Sequence, residues 1–168
     1  MKITATEEYG MRCMLQLALR NGETVSLSEL AVAEGIAVPF AAKVLLRLRR
    51  AGLVAATRGR NGGYTLAEAP ERITVLRILK ALGKPLYDSS FCREHGSPGT
   101  TDCSRLTDCS LRPVWAHLDA LLGRFFEQTT LADLAAGERR TDRHLQERWP
   151  LLAPATSGAA ASAKRGTL

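Results

Sequence analysis

The chain has 168 residues, enough for one domain with an attached helical element. Its 45% hydrophobic and 24% charged content supports a packed core and argues against global disorder. No apolar run approaches the 18 or so residues of a membrane span, and "MKITATEEYGMRCML" lacks the features of a secretory signal. A cytoplasmic protein without stable structural disulfides is therefore expected, with no membrane partner.

The net charge of +6 is unevenly placed: residues 1–84 hold 13 Lys and Arg against 7 acids, whereas residues 85–168 hold 10 of each. No acid occurs between Glu34 and Glu68, while Lys43, Arg47, Arg49, Arg50, Arg58 and Arg60 all fall in that interval. Such segregation suits a polyanion partner for the N-terminal half, the alternative being a solvated basic face.

In chain order, Thr4 with Glu7 forms a capping-box signature, and an apolar stripe from Tyr9 to Leu19 predicts a first helix to about Arg20. "NGETVS" reads as a turn. Ser26 with Glu29 opens a second, short helix that Gly35 ends. Pro39 suits the first position of a third helix, which runs to about Ala51 and stops at Gly52. The periodicity then changes: "LVAAT" and "YTLA" read as strands joined by "RGRNGG", where Asn61-Gly62 suits a hairpin turn. Thr74 caps a fourth helix, "VLRILKALG". Pro113 opens a long helix to about Gln128, and Thr130 with Asp133 caps a last short one. Residues 153–168, small and polar, read as a disordered tail.

Helix, helix, turn, helix and hairpin is the order of a winged helix-turn-helix. The fold class is therefore mainly α, with a two-stranded wing and a long C-terminal helix. The third helix suits recognition of double-stranded DNA: Val38, Phe40, Ala41 and Lys43 lie near its N-terminal end, where base edges are read. Val44, Leu45 and Leu48 would face the core, and Arg47, Arg49 and Arg50 would reach phosphates. At the hairpin, Arg58, Arg60, Asn61, Gly62 and Gly63 make a slim basic tip able to enter a minor groove. A plain hairpin with two solvated arginines is the bland alternative.

Three of the four cysteines lie in "FCREHGSPGTTDCSRLTDCS", which has little apolar content to bury them. Ten residues separate Cys92 from Cys103 and five separate Cys103 from Cys109, long gaps for zinc and unlike a CxxC redox pair. Three thiolates on such a loop suit an iron–sulfur cluster, with a thiol–disulfide sensor, zinc and no metal as the other readings. A fourth ligand could come from His95, Asp102, Asp108 or His117, although His117 sits among the polar positions of its helix. Cys13, on the apolar stripe of the first helix, reads as a core residue, and His144 has no supporting context.

Together, "MKITATEEYGMRCMLQLA", "LLRLRRAGLV", "RGRNGGYTLA", the three cysteines and "TTLADL" resemble the Rrf-type winged helix-turn-helix transcriptional regulators, of the IscR/NsrR-like, iron–sulfur cluster-binding kind, over about residues 1–137. The resemblance implies a homodimer paired through its long helices, a pseudo-palindromic operator, and a 4Fe–4S or 2Fe–2S cluster held by Cys92, Cys103, Cys109 and one further ligand. Some members place a histidine three residues after the third cysteine, a position held here by Arg112. Others use an acid near the N-terminus of the partner subunit, which points to Glu8, with Glu7 as its neighbour and competitor. The first cysteine gap, ten residues, is longer than the five common in the best-known members of the family this chain resembles, whose wider membership varies there.

The expected organisation is a DNA-binding domain over 1–84, a cluster loop over 85–112, a dimerisation helix with a short capping helix over 113–137, and an extension over 138–168 that is disordered from about 153. Trp115, Leu118, Leu121, Leu122, Phe125 and Phe126 form the expected dimer stripe. The function implied is a cluster-controlled transcriptional repressor rather than an enzyme, since no nucleophile–base pair or phosphate loop is evident. A metal-free disulfide-sensing repressor, an iron–sulfur electron carrier and a protein-binding winged helix are the competing readings.

Overall fold

The computed structural model describes residues 3–59, 62–83, 85, 87, 103, 105 and 107–150. Its helices are α1 (Ala5–Leu19), α2 (Leu27–Glu34), α3 (Val38–Arg50), α4 (Val75–Leu82), α5 (Leu111–Glu127), α6 (Leu131–Ala135) and α7 (Glu138–Arg148). Between α3 and α4, strands β1 (Val54–Thr57) and β2 (Gly63–Leu66) form an antiparallel pair running from Val54 opposite Leu66 to Thr57 opposite Gly63.

The helix starts follow from local side-chain chemistry. Thr4, Ser26 and Thr130 each accept a hydrogen bond from the backbone N–H three residues on, and Glu7, Glu29 and Asp133 reach back to the cap residue. Each reciprocal pair satisfies two donors that the first helical turn leaves orphaned. Thr74 caps α4 through the Arg77 N–H. Gly35 ends α2 in the left-handed conformation, φ 63°, which turns the chain into α3. Helix α5 starts at Leu111, two residues before the expected Pro113. A proline in the first helical turn costs no hydrogen bond, so it does not mark the boundary sharply.

One core unites these elements. Met14 and Leu17 of α1, Leu30 of α2, Leu45 and Leu48 of α3, Leu53, Ile73, Ile78 and Leu131 are all buried within it. Burying each such side chain contributes about 1.5–3 kcal/mol. Leu131 is notable because it comes from beyond the long helix. The Leu131 N–H donates to the Ile73 carbonyl at 2.8 Å, and the Val75 N–H donates to the Thr129 carbonyl at 2.9 Å. These bonds stitch the start of α6 to the start of α4, so the short helix closes the N-terminal core.

Helix α7 corrects the expectation that the helix capped by Thr130 is the last. It packs back on α5 and α6: the Trp149 and Phe125 rings are 5.7 Å apart, and the Thr141 hydroxyl donates to the Asp133 carbonyl at 2.9 Å. Among the described residues no helix is long and apolar enough to cross a membrane. The tail expected to be disordered lies outside the described residues.

Candidate nucleic-acid interface and cysteine segment

Helix α3 is amphipathic about a sharp boundary. Ala41, Val44, Leu45 and Leu48, at i, i+3, i+4 and i+7 spacing, are all 0% exposed. The opposite side carries exposed Val38, Pro39, Lys43, Leu46, Arg47, Arg49 and Arg50. Two expected base-reading residues change role here. Ala41 is wholly in the core and presents nothing to a groove. Phe40 is half-buried, packed edge-on against Tyr9 of α1 with ring centroids 5.9 Å apart.

Phe40 belongs to a buttress behind α3. Arg12 lies over the Tyr9 ring, 5.1 Å from its centroid, and donates to the Glu34 carboxylate. The Glu34 side chain is only 4% exposed, so this pair ties α1 to the C-terminal end of α2. The sequence carried a signal for it: Leu27, Leu30, Ala31 and Glu34 share one helical stripe, which places a lone acid on an apolar face. Cys13 lies beside the pair and is fully buried. Burial, reinforced by the Glu34 charge and opposed by Arg12, pushes its thiol up to about 11.

The basic residues of the acid-free interval differ from the arginine that follows them. Arg77 makes a bidentate pair with Glu68, at 2.6 and 3.1 Å. Among the described residues, Lys43, Arg49, Arg50 and Arg58 make no ion pair. Arg47 is exposed, yet it donates to the Leu82 carbonyl at 2.7 Å.

The wing is anchored at its base. Val25 and Tyr64 exchange both backbone hydrogen bonds, at 3.0 and 2.8 Å, so the segment before α2 adds one bridge beside β2. At the tip, the Gly62 N–H donates to the Gly59 carbonyl at 2.9 Å, and Gly59 has φ 112°. Gly62 and Gly63 are needed for close approach, because a side chain at either would meet backbone atoms of Thr57 or Val25. Arg60 and Asn61 lie outside the described residues.

In the cysteine segment, Cys103 and Cys109 are free, half-buried thiols. Cys109 sits against the start of α5, its carbonyl accepting from the Arg112 N–H at 3.2 Å. Tyr87, near the other end of the segment, donates its N–H to Asp119 of α5 at 3.3 Å. Cys92, His95 and Asp102 lie outside the described residues, and Asp108 is exposed. No group of three or more metal-capable side chains is assembled among the described residues. Glu7 is occupied by the α1 cap, whereas Glu8 is exposed on the same turn with no side-chain partner among the described residues. His117 is exposed, with Nδ1 2.7 Å from the Pro113 carbonyl. His144 lies 3.8 Å from Asp133.

Along α5 the expected dimer stripe divides. Leu122, Phe125 and Phe126 are half-buried, while Leu111, Val114, Trp115, Leu118 and Leu121 are 37–59% exposed. Those five exposed positions follow the spacing of a helix-pairing seam.

A helix-turn-helix with a basic outer face, followed by an anchored two-stranded wing, defines a winged-helix DNA-binding protein. Comparison with known proteins extends this. Residues 3–137 match the Rrf2 family, described as iron-dependent transcriptional regulators, and the chain belongs to that family. It is 36% identical over 138 residues to Rv1287 of Mycobacterium tuberculosis, a candidate HTH-type transcriptional regulator, covering 82% of this chain and 83% of that one. It is 34% identical over 143 residues to the HTH-type transcriptional regulator IscR of Cereibacter sphaeroides, covering 83% and 90%. Among solved structures it is similar to CymR (YrzC), the global cysteine regulator of B. subtilis, with a TM-score of 0.62, 28% identity, and coverage of 81% and 97%. The protein is a DNA-binding transcriptional regulator of the Rrf2 family.

Proposed function

We propose that this regulator is a cytoplasmic homodimeric repressor whose operator binding is controlled by an iron–sulfur cluster on the segment that follows α4. The carrying observation is that Cys103 and Cys109 are free thiols on a segment tied at both ends to α5. Thiolates are the donors that iron–sulfur clusters require. With Cys92, these two supply three soft ligands. Glu8, exposed where Glu7 is engaged in a cap, is our candidate for the carboxylate that completes the set from the partner subunit. The bound cluster would contribute a redox-sensitive or gas-sensitive link between the segment and its ligands.

Arg49 and Arg50 on α3 bind DNA phosphates, Val38 and Lys43 lie at the groove-facing end of α3, and Arg58 and Arg60 of the wing enter the minor groove. Gly62 and Gly63 hold the tip slim. The Trp115, Leu118 and Leu121 face pairs with a second copy, burying apolar side chains that the chain alone leaves open. A two-fold dimer must match half-sites about one helical turn apart, so a small change in the angle between its two α3 helices alters affinity strongly.

The second reading is a metal-free repressor in which these cysteines sense oxidants as disulfides. It draws on the same two free thiols and on the likeness to CymR. Anaerobic purification followed by iron analysis and a visible spectrum separates the two. Stoichiometric iron and sulfide with broad visible absorbance is the expected result. Colourless, iron-free protein that gains a disulfide with peroxide would establish the second reading.

A further inference from the structure

The Arg47 hydrogen bond has no place in a simple phosphate-contact role. Arg47 lies on α3, but its guanidinium points along the protein surface to the Leu82 carbonyl, 2.7 Å away. Leu82 is the last residue of α4, where carbonyls lack helical donors and the helix dipole is negative. A cationic, charge-assisted donor is well suited to that end. The same junction is gripped from α1. A methyl group added at Gly10 would overlap the Leu82 side chain, and one added at Gly83 would overlap the Glu7 carboxylate. Leu82 and Gly83 are thus held between α1 and Arg47 of α3, immediately before the chain enters the cysteine segment.

We infer that Arg47 is a positioning residue that fixes α3 against the C-terminal end of α4, making the Leu82–Gly83 junction the link by which the cysteine segment sets the attitude of the recognition helix. The linkage part rests on the sensing role proposed above; the positioning part does not. A guanidinium engaged with the Leu82 carbonyl holds α3 in place without contributing a phosphate contact. Lys43, Arg49 and Arg50 then carry the electrostatic attraction on α3.

The test uses the full chain and a labelled duplex selected by the wild-type protein from a randomised pool. Binding is measured by fluorescence anisotropy across a salt series, for wild type, Arg47→Met and Arg50→Met. Arg50→Met removes one phosphate contact from each half of the dimer and should reduce the slope of log K against log salt by about 1.8. Arg47→Met should weaken binding about five- to tenfold at every salt concentration with the wild-type slope retained, as expected for loss of one hydrogen bond at a partly exposed site. A fall of about 1.8 in the Arg47→Met slope would overturn the positioning role. Arg47→Gln serves in the same comparison should the Met variant lose its helical circular dichroism.

For the linkage, each protein is measured as purified anaerobically and again after removal of its iron by chelation. The affinity ratio between the two states should be large for wild type and approach one for Arg47→Met. A large ratio retained in the variant would overturn the linkage. A ratio of one already in wild type would overturn both the linkage and the sensing role, while the slope comparison still decides what Arg47 does.

Discussion

Replacing Gly63 and Gly123 by alanine should change stability in opposite directions. Gly63 lies where β2 passes the backbone of Val25, and a Cβ there would sit 2.5 Å from the Val25 carbonyl oxygen and 2.7 Å from its carbon. Ordinary contact needs more than 3 Å, so the Val25 strand segment must move away from β2. That segment is held by the two Val25–Tyr64 backbone hydrogen bonds, at 3.0 and 2.8 Å. Losing both costs about 2 kcal/mol at about 1 kcal/mol each, and the reduced unfolded-state entropy of alanine returns about 0.4–1 kcal/mol. The expected net loss is about 1–2 kcal/mol, which lowers Tm by roughly 3–10 °C for a domain of this size. Gly123, by contrast, lies inside α5 with nothing within 4 Å of its added Cβ. Alanine there should stabilise by about 0.5–1 kcal/mol through helix propensity. Thermal unfolding followed by circular dichroism measures both. Unchanged stability in Gly63→Ala, or an equal loss in Gly123→Ala, would refute the view that the wing base is set by backbone contact. Because the wing hangs from that bridge, Gly63→Ala should also weaken DNA binding, whereas Gly123→Ala should not.

Arg12→Ala leaves the Glu34 carboxylate buried without its partner and should cost about 2–4 kcal/mol in chemical denaturation; pairing it with Glu34→Gln should recover a substantial part, and equal losses in the single and double variants would count against the buttress. Cys13 gives a pH signature. Its folded pKa, about 11, lies above the ordinary thiol value of 9.0, so the folded state holds the proton more tightly. Its contribution is fully present below pH 9 and is lost as pH rises towards 11, amounting to about 2–3 kcal/mol at most, and Cys13→Ala should remove that slope from denaturation curves. In iron-free native protein at neutral pH, iodoacetamide should label Cys103 and Cys109 but spare Cys13, as peptide mass spectrometry would show.

Where the determinants are local, the chain announces its own elements. Thr4 with Glu7, Ser26 with Glu29 and Thr130 with Asp133 are patterns spanning four residues, and each forms the cap its spacing predicts. Helix α7 lacks such local determinants. "ERRTDRHLQER" offers Leu145 as its lone aliphatic residue, and Gly137 before it provides no side-chain cap. Its place is set by docking, with Trp149 against Phe125 and Thr141 bonded to Asp133, partners distant enough in sequence that no local pattern reveals them.

By itself, the sequence determined the class of protein. Capping boxes, helical stripes, a glycine-rich hairpin and the segregation of positive charge each depend on near neighbours, and together they specify a winged helix with a basic face. Tertiary structure alone decided how that face is oriented and what stands behind it. Ala41 and Lys43 are two residues apart on one helix, yet one is sealed in the core and the other is exposed, because the rotation of α3 is fixed by its packing on α1, α2 and α4. The same rotation turns Phe40 onto Tyr9 and Arg47 onto Leu82. Periodicity shows that a helix has an inside and an outside; the residues at the boundary are assigned only when neighbouring helices close around it.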